Sequence, residues 1–108
     1  MRINRNSDIT RNVKIIEWMK NEILMSVSEL FNILFKGVRS ADDALQDILA
    51  NIIMITYLLA KRLGISFKEI DYKIKEKASL GIKENHSIEN WYGDLTNLKN
   101  HIENREWS

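Results

Sequence analysis

The stretch that decides the fold is residues 40–66, SADDALQDILANIIMITYLLAKRLGIS. Ser40 is a favourable N-cap residue, and the acids that follow it suit the positive end of a helix dipole. From Ile48 to Leu59 the predicted helix is apolar on nearly every side, and Gly64 is placed to end it. Such a helix must bury more than one face, so we expect it at the centre of the fold.

The preceding segment predicts a second long helix, over about Asp8 to Lys36. Its main stripe of apolar residues has the spacing of one helical face: Ile16, Met19, Ile23, Val27, Leu30 and Leu34. Three further residues widen that stripe enough to bury two faces: Leu24, Phe31 and Phe35. Gly37 follows as a C-terminal stop. Residues 1–10 are expected to form a flexible N-terminal arm.

After the central helix, Ser66 and Glu69 form an S-x-x-E capping-box pattern, which predicts the start of a third helix. We expect this helix to run to about Ser79 and to be ended by Gly81, because glycine commonly follows the last turn of a helix.

The remainder of the chain is less regular. Residues 83–92 predict a polar loop and a short turn, and residues 94–104 predict a last helix with Asp94 as its N-cap. Trp91 belongs to a set of apolar residues at helical spacing, so we expect it and Tyr92 to anchor this segment against the bundle, near the exit of the second helix. The alternative for Trp91 is stacking on a nucleotide base.

Composition indicates one soluble helical domain: 108 residues, 44% hydrophobic, 29% charged and without proline. The formal net charge of +1 gives no electrostatic case for binding nucleic acid or a membrane surface. With no cysteine and two histidines, the chain lacks a disulfide framework and a histidine-rich metal cage. The longest apolar run, residues 52–60, is too short to span a bilayer, and no signal peptide is evident, so a cytoplasmic location is expected.

Helices joined by short turns pack as antiparallel neighbours. We therefore predict an all-α, antiparallel helical bundle that occupies residues 1–108 as a single domain. Two helices that are apolar nearly all round carry more apolar surface than a small monomeric core can bury. We expect oligomerisation to complete the core, as a homodimer or a tetramer.

Two polar faces are predicted to meet across the antiparallel pair. They consist of Glu22, Ser26 and Glu29 on the first helix and of Asp43, Asp47 and Asn51 on the second. Carboxylates that converge from facing helices build metal sites, and oxygen ligands suit Mg²⁺ or Mn²⁺. The alternative for the acids is a solvated surface. For Asn51 it is a structural role, because a buried amide needs hydrogen-bond partners.

Several segments resemble the MazG family of all-α nucleoside triphosphate pyrophosphatases. The helix exit Leu63-Gly64-Ile65 and the block Trp91-Tyr92-Gly93-Asp94 are the most specific, and the similarity extends from about Ile16 to Leu98. Ser28-Glu29-Leu30 resembles the end of the family's E-x-x-E motif, which precedes an E-x-x-D motif on the next helix. The tail from His86 to Leu95 is similar to a short MazG-like subfamily of Gram-positive bacteria.

The resemblance assigns positions to the two acidic motifs. When the first motif is anchored on Glu29, its other acid falls on Ser26. When the second is anchored on Leu63-Gly64, it falls on Ile48 and Asn51. Of the four expected acids, only Glu29 remains an acid.

A second register is available if the helix carries one additional turn. It brings Asp43 and Asp47 near the second motif, and Glu22 lies one turn from the first. The acids are therefore displaced along the same faces, or the site has decayed.

The resemblance implies Mg²⁺-dependent (or Mn²⁺-dependent) cleavage of a nucleoside triphosphate to a monophosphate and pyrophosphate by an oligomer of helix pairs. The residues assigned are Glu29 and Asp47 for catalysis, Glu22, Glu29, Asp43, Asp47 and Asn51 for the metal, and Lys77 and Trp91 for the substrate. The alternative is a catalytically inactive MazG-like protein that acts as a nucleotide sensor or a dimeric interaction module.

Overall fold

The computed structural model describes residues 5–37 and 42–105, the first three of them by their backbone alone. No strand occurs in these ranges, which confirms the predicted all-α class. The helices are α1 (Arg5–Lys36), α2 (Asp42–Arg62), α3 (Phe67–Lys83), α4 (Ser87–Tyr92) and α5 (Asp94–Arg105). They fall into two compact units, Met1–Gly64 and Ile65–Ser108. The single domain expected over residues 1–108 stays a prediction.

The first unit consists of α1 and α2, which pack closely against each other. Its buried apolar side chains are Met19 on α1 and Ile48, Ile55 and Ala60 on α2. Burial of these side chains between the helices, rather than intrinsic helix propensity, is the main source of stability for such a pair.

α1 begins earlier than the sequence predicts. Its helical conformation starts at Arg5, three residues before the predicted start at Asp8, and residues 1–4 lie outside the described part. The flexibility expected over residues 1–10 stays a prediction. Asp8 lies in the first turn, where its negative charge suits the helix dipole. Gly37 ends the helix with a φ of +61°, as predicted. The predicted N-cap Ser40 lies outside the described residues.

The second unit begins with the predicted capping box. The Ser66 hydroxyl accepts a hydrogen bond of 3.1 Å from the Glu69 backbone N–H, and the Glu69 carboxylate accepts one of 2.7 Å from the Ser66 N–H. The hydrogen bonds from the backbone and the side chain of Ser66 hold the pKa of Glu69 below its usual value, because they stabilise the charged carboxylate.

α3 and α5 pack together as the body of this unit. Ala78 of α3 and Ile102 of α5 are its buried apolar residues. At the edge, the Arg105 guanidinium donates a 3.0 Å charged hydrogen bond to Asp71.

Gly81 does not end α3, so the predicted helix stop there is wrong. The helix continues to Lys83, and the φ of Gly81 is not positive. A Cβ at this position would lie 2.6 Å from the Cδ1 of Leu95. Gly81 therefore serves close packing between helices, a role that local sequence does not distinguish from a helix end.

Residues 87–92, predicted as a turn, form the short helix α4. The His86 ring caps it, since its Nδ1 accepts a 3.2 Å hydrogen bond from the α4 backbone, and Gly93 ends it with a φ of +68°. Glu89 then accepts hydrogen bonds from the hydroxyl and the backbone N–H of Thr96, and these lower the pKa of Glu89. Caps specify this helix, because six residues are too few to show a period.

Large apolar side chains remain exposed on the first unit. They include Leu24, Phe31 and Phe35 on α1 and Leu49 and Ile53 on α2. The sequence predicts burial of these faces, and a single copy of the chain does not bury them. Oligomerisation stays a prediction.

Among the described helices, α2 alone is long and apolar enough to cross a bilayer by length and composition. The central helix of a soluble bundle meets the same criteria, so they are weak support for a membrane span. The expected absence of a membrane partner stays a prediction.

Candidate functional site

The predicted polar faces of α1 and α2 meet at Ser26 and Asn51. The Asn51 Nδ2 donates a 2.9 Å hydrogen bond to the Ser26 Oγ, which we call the inter-helix polar contact. Ser26 is buried, with 7% of its surface exposed, and Asn51 is half-buried. A buried polar group without a hydrogen-bond partner costs roughly 1–3 kcal/mol of stability. Each of the two side chains supplies the partner that the other needs.

This contact establishes how the two helices run. Ser26 lies ten residues before Lys36 at the end of α1, and Asn51 lies nine residues after Asp42 at the start of α2. Residues equally far from the connecting turn therefore meet, which confirms the predicted antiparallel pairing.

Among the predicted acids, Glu29 and Asp47 lie at neighbouring levels of the pair. Glu29 lies three residues after Ser26 on α1. Because the helices are antiparallel, the matching level on α2 is three residues before Asn51, at Ile48, which is the neighbour of Asp47. Both carboxylates are exposed, and so is Asp43, one turn nearer the start of α2. Glu22 lies about 10 Å from Glu29 along the α1 axis, on the other side of the contact. The polar contact thus separates Glu22 from the other acids.

A protein-family model described as the MazG-like family matches residues 9–95, from α1 into the start of α5. The chain belongs to the MazG-like family. This confirms the family resemblance, while the short Gram-positive subfamily stays a prediction. The comparison with curated proteins and the comparison with solved structures found no match.

The residues at the MazG motif positions can be tested against the Mg²⁺ that the resemblance implies. Ser26 and Asn51 are hydrogen-bonded to each other, and Ile48 is buried and has no ligand atom. Glu29 supplies the one carboxylate. This set is a poor match for an ion that demands near-ideal octahedral oxygen coordination. The residues at these four positions do not fit a divalent cation.

The remaining acids do not replace the missing ones in a single chain. Across residues 5–37 and 42–105, no three acidic or histidine side chains come together as a group that could hold a metal ion. The predicted metal-binding roles stay predictions, and so do the catalytic roles of Glu29 and Asp47; the metal set is Glu22, Glu29, Asp43, Asp47 and Asn51.

Lys77, a predicted substrate contact, lies in the second unit. It lines an open groove of about 460 Å³ on α3, together with Lys73, Glu76 and Lys83. Lys73 is ion-paired with Glu76 at 3.3 Å. The lining comes from one helix, so the groove is a charged helix surface in this structure, and substrate binding by Lys77 stays a prediction.

Trp91, the other predicted substrate contact, is 74% exposed. Its ring meets that of Tyr92 edge to face, with centroids 6.3 Å apart. Tyr92 is 68% exposed as well, so the prediction that both rings anchor the segment by burial against the bundle is wrong. Gly93 interrupts the helix, and the period that includes Trp91 does not continue through it. Ile102, beyond the break, is buried. Stacking of Trp91 on a base stays a prediction.

The structural role of Ser26 is the feature that sequence reasoning missed. The sequence contains a signal for it, since a buried Asn51 needs a hydrogen-bond partner and Ser26 lies on the facing polar face. Pairing the two required the register of the helices, which the structure supplies.

Proposed function

We propose that this MazG-like protein is a self-associating helical module that does not cleave nucleoside triphosphates. The observation that carries the proposal is the inter-helix polar contact. Where the resemblance calls for acids that bind a cation, Ser26 and Asn51 bind each other at 2.9 Å. Neutral side chains thereby join the two helices without a metal.

Ile48 supports the same conclusion. Acids gathered between two helices repel one another unless a cation lies among them. At Ile48 the chain has a buried aliphatic side chain instead, and burial of such a side chain contributes about 1.5–3 kcal/mol without any ion. Pairing of α1 and α2 is expected to be independent of divalent cations.

Self-association is supported by the exposed apolar faces of the first unit. Phe35 is 92% exposed and Leu24 is 70% exposed, and Leu49 and Ile53 add apolar surface on α2. Large apolar side chains exposed in this number on one helix pair indicate an interaction surface. The partner we propose is a second copy of the chain, in a homodimer, since isologous pairing is the commonest way to cover such a face. A tetramer is the alternative outcome.

A second candidate is a Mg²⁺- or Mn²⁺-dependent pyrophosphohydrolase that cleaves a nucleoside triphosphate to a monophosphate and pyrophosphate. It is favoured by Glu29 and Asp47, two exposed carboxylates at neighbouring levels of the pair. In this candidate those two residues are catalytic. The further assigned contacts are Glu22, Asp43 and Asn51 for the metal and Lys77 and Trp91 for the nucleotide.

One assay separates the two candidates. Pyrophosphate release is measured across canonical and damaged nucleoside triphosphates, with and without Mg²⁺ or Mn²⁺. We expect wild-type release no faster than that of Glu29→Gln. Metal-dependent release that falls by about tenfold or more in Glu29→Gln and Asp47→Asn, and not in the control Glu17→Gln, would overturn the proposal and support the hydrolase.

A further inference from the structure

The first unit contains a cleft that the proposed function does not use. It lies at the end of the helix pair away from the connecting turn, where the first turns of α1 meet the last residue of α2. Its volume is about 480 Å³, and the described residues that line it are Asp8, Ile9, Arg11, Asn12, Ile15 and Arg62.

Two guanidinium groups from different helices converge on this cleft. Arg11 belongs to α1 and Arg62 to α2, and neither has a hydrogen-bond or ion-pair partner among the residues that the structure describes. Asp8 is the one acid of the described lining, and it makes no ion pair with a described residue. Two arginines that are distant in sequence, and that have no partner among the described residues, therefore give this cleft a positive charge.

Ile9 and Ile15 also line the cleft and add partly exposed apolar side chains to it. We propose that the cleft binds a small phosphomonoester, with its phosphate held by Arg11 and Arg62 and its organic part against the isoleucines. Guanidinium groups match phosphate oxygens through paired N–H donors, and the Asn12 amide adds a further donor. The volume lies within the range of small-molecule sites.

The charge balance favours phosphate over carboxylate. The described lining carries two guanidinium groups and one acid, Asp8, and a ligand with a single carboxylate can form a bidentate pair with only one of the guanidinium groups. A phosphomonoester carries about −1.5 to −2 charges near neutral pH and three acceptor oxygens. It can therefore engage both arginines at once.

The cleft is separate from the inter-helix polar contact. Arg11 and Ser26 are fifteen residues apart on α1, which is about 22 Å of helix. Phosphate binding here does not depend on whether the centre of the pair binds a metal.

The test is a titration of the full-length protein with phenyl phosphate in EDTA at low salt, followed by NMR of the backbone amides. We expect saturable shifts around residues 8–15 and 62. Arg11→Gln and Arg62→Gln should each weaken binding by roughly tenfold, because each removes charge-assisted hydrogen bonds. The control Lys14→Gln removes the same charge outside the cleft and should stay within about twofold of wild type. Inorganic phosphate and benzoate should bind more weakly than phenyl phosphate.

Equal weakening by all three substitutions would show attraction to net charge alone and would overturn the proposal. Tighter binding of benzoate than of phenyl phosphate would do the same, as would shifts that lie elsewhere. Thermal melts of the variants check that they fold. EDTA removes divalent cations, so failure here leaves the proposed loss of hydrolysis untouched, and detection of hydrolysis would leave this site standing.

Discussion

The Nδ2 of Asn51 lies 2.9 Å from the Oγ of Ser26, and the two residues are 25 positions apart in the chain. Apart from Ser26, the buried side chains among the described residues of the first unit are apolar, so they accept several alternative packings of similar energy. A hydrogen-bonded polar pair does not accept alternative packings, because a shift of one helix by a turn would separate its donor from its acceptor. The contact thus selects one register for α1 against α2.

The first prediction concerns the energy of this contact. We expect Asn51→Ala to lower the free energy of unfolding by about 1–3 kcal/mol, because it removes packing and leaves the buried Ser26 hydroxyl unpaired. Ser26→Ala should lower the free energy of unfolding less in the Asn51→Ala variant than in the wild type, and the difference, which is the coupling energy, should be about 1 kcal/mol. Urea unfolding followed by circular dichroism measures both. Asn32→Ala, at an exposed amide of α1, is the control. Strictly additive effects would contradict the prediction.

The second prediction restores acids at the motif positions. Ser26→Glu combined with Asn51→Asp adds two carboxylates near Glu29 and should lower Tm in EDTA, because the acids repel one another. Mn²⁺ should then raise the Tm of this variant, because binding to the folded state stabilises it by mass action. At a free Mn²⁺ concentration of a hundred times Kd, the added free energy of unfolding is about 2.7 kcal/mol.

For the same titration, the wild type should not respond to Mn²⁺. The control Ser28→Glu with Asn32→Asp adds the same charge at exposed sites and should not respond either. A wild-type Tm that rises as much as that of the acid variant would favour the hydrolase candidate.

The third prediction concerns self-association. Light scattering should give the wild type at least twice the chain mass of 12.7 kDa at micromolar concentration. Phe31→Glu with Phe35→Glu should yield a monomer, since charges on an apolar interface must be desolvated to bind. Asn32→Glu, on the same helix, should leave the mass unchanged. A folded wild-type monomer at that concentration would contradict the proposed homodimer.

The fourth prediction concerns Gly81. Replacing glycine by alanine within an exposed helix adds about 1 kcal/mol of stability. Here the added Cβ would meet Leu95 at 2.6 Å, so we expect Gly81→Ala to give little or no gain. In a Leu95→Ala background the same substitution should become more favourable by about 1 kcal/mol. Chemical denaturation of the four proteins measures the coupling, and its absence would show that the two helices are not in close contact there.

The fifth prediction is a loss of stability in acid. Hydrogen bonds from Ser66 and from Thr96 lower the pKa values of Glu69 and Glu89 from the usual 4.5 in the folded state. Their stabilisation is therefore present above the unfolded pKa and is lost as the pH falls through the lowered folded pKa.

Glu69→Gln with Glu89→Gln should accordingly be less stable than wild type at neutral pH, and the difference should shrink in acid. Circular-dichroism melts from about pH 7 to about pH 3 measure this. Glu84→Gln, at an exposed carboxyl, is the control. A constant difference across that range would contradict the assigned role of the carboxylates.

Local sequence was sufficient wherever a rule acts over a few residues. The Ser66–Glu69 capping box and the C-terminal ends of α1 and α2, at Gly37 and Gly64, follow from contacts within one turn, and the structure bears them out. The antiparallel pairing was also predictable, because a short turn leaves few other arrangements. Gly81 and Trp91 were predicted wrongly, since their environments depend on Leu95 and on the break at Gly93.

The partner of Asn51 and the convergence of Arg11 with Arg62 came from the packed helices alone. Periodicity assigns a side chain to one face of its helix. The length of the connecting turn then gives its position along the neighbouring helix, with an uncertainty of about one helical turn, or 5 Å. A hydrogen bond requires its two heavy atoms to lie within about 3 Å. Side-chain pairs that join different helices therefore depend on register and rotation finer than the pattern of residues conveys, and packing supplies both.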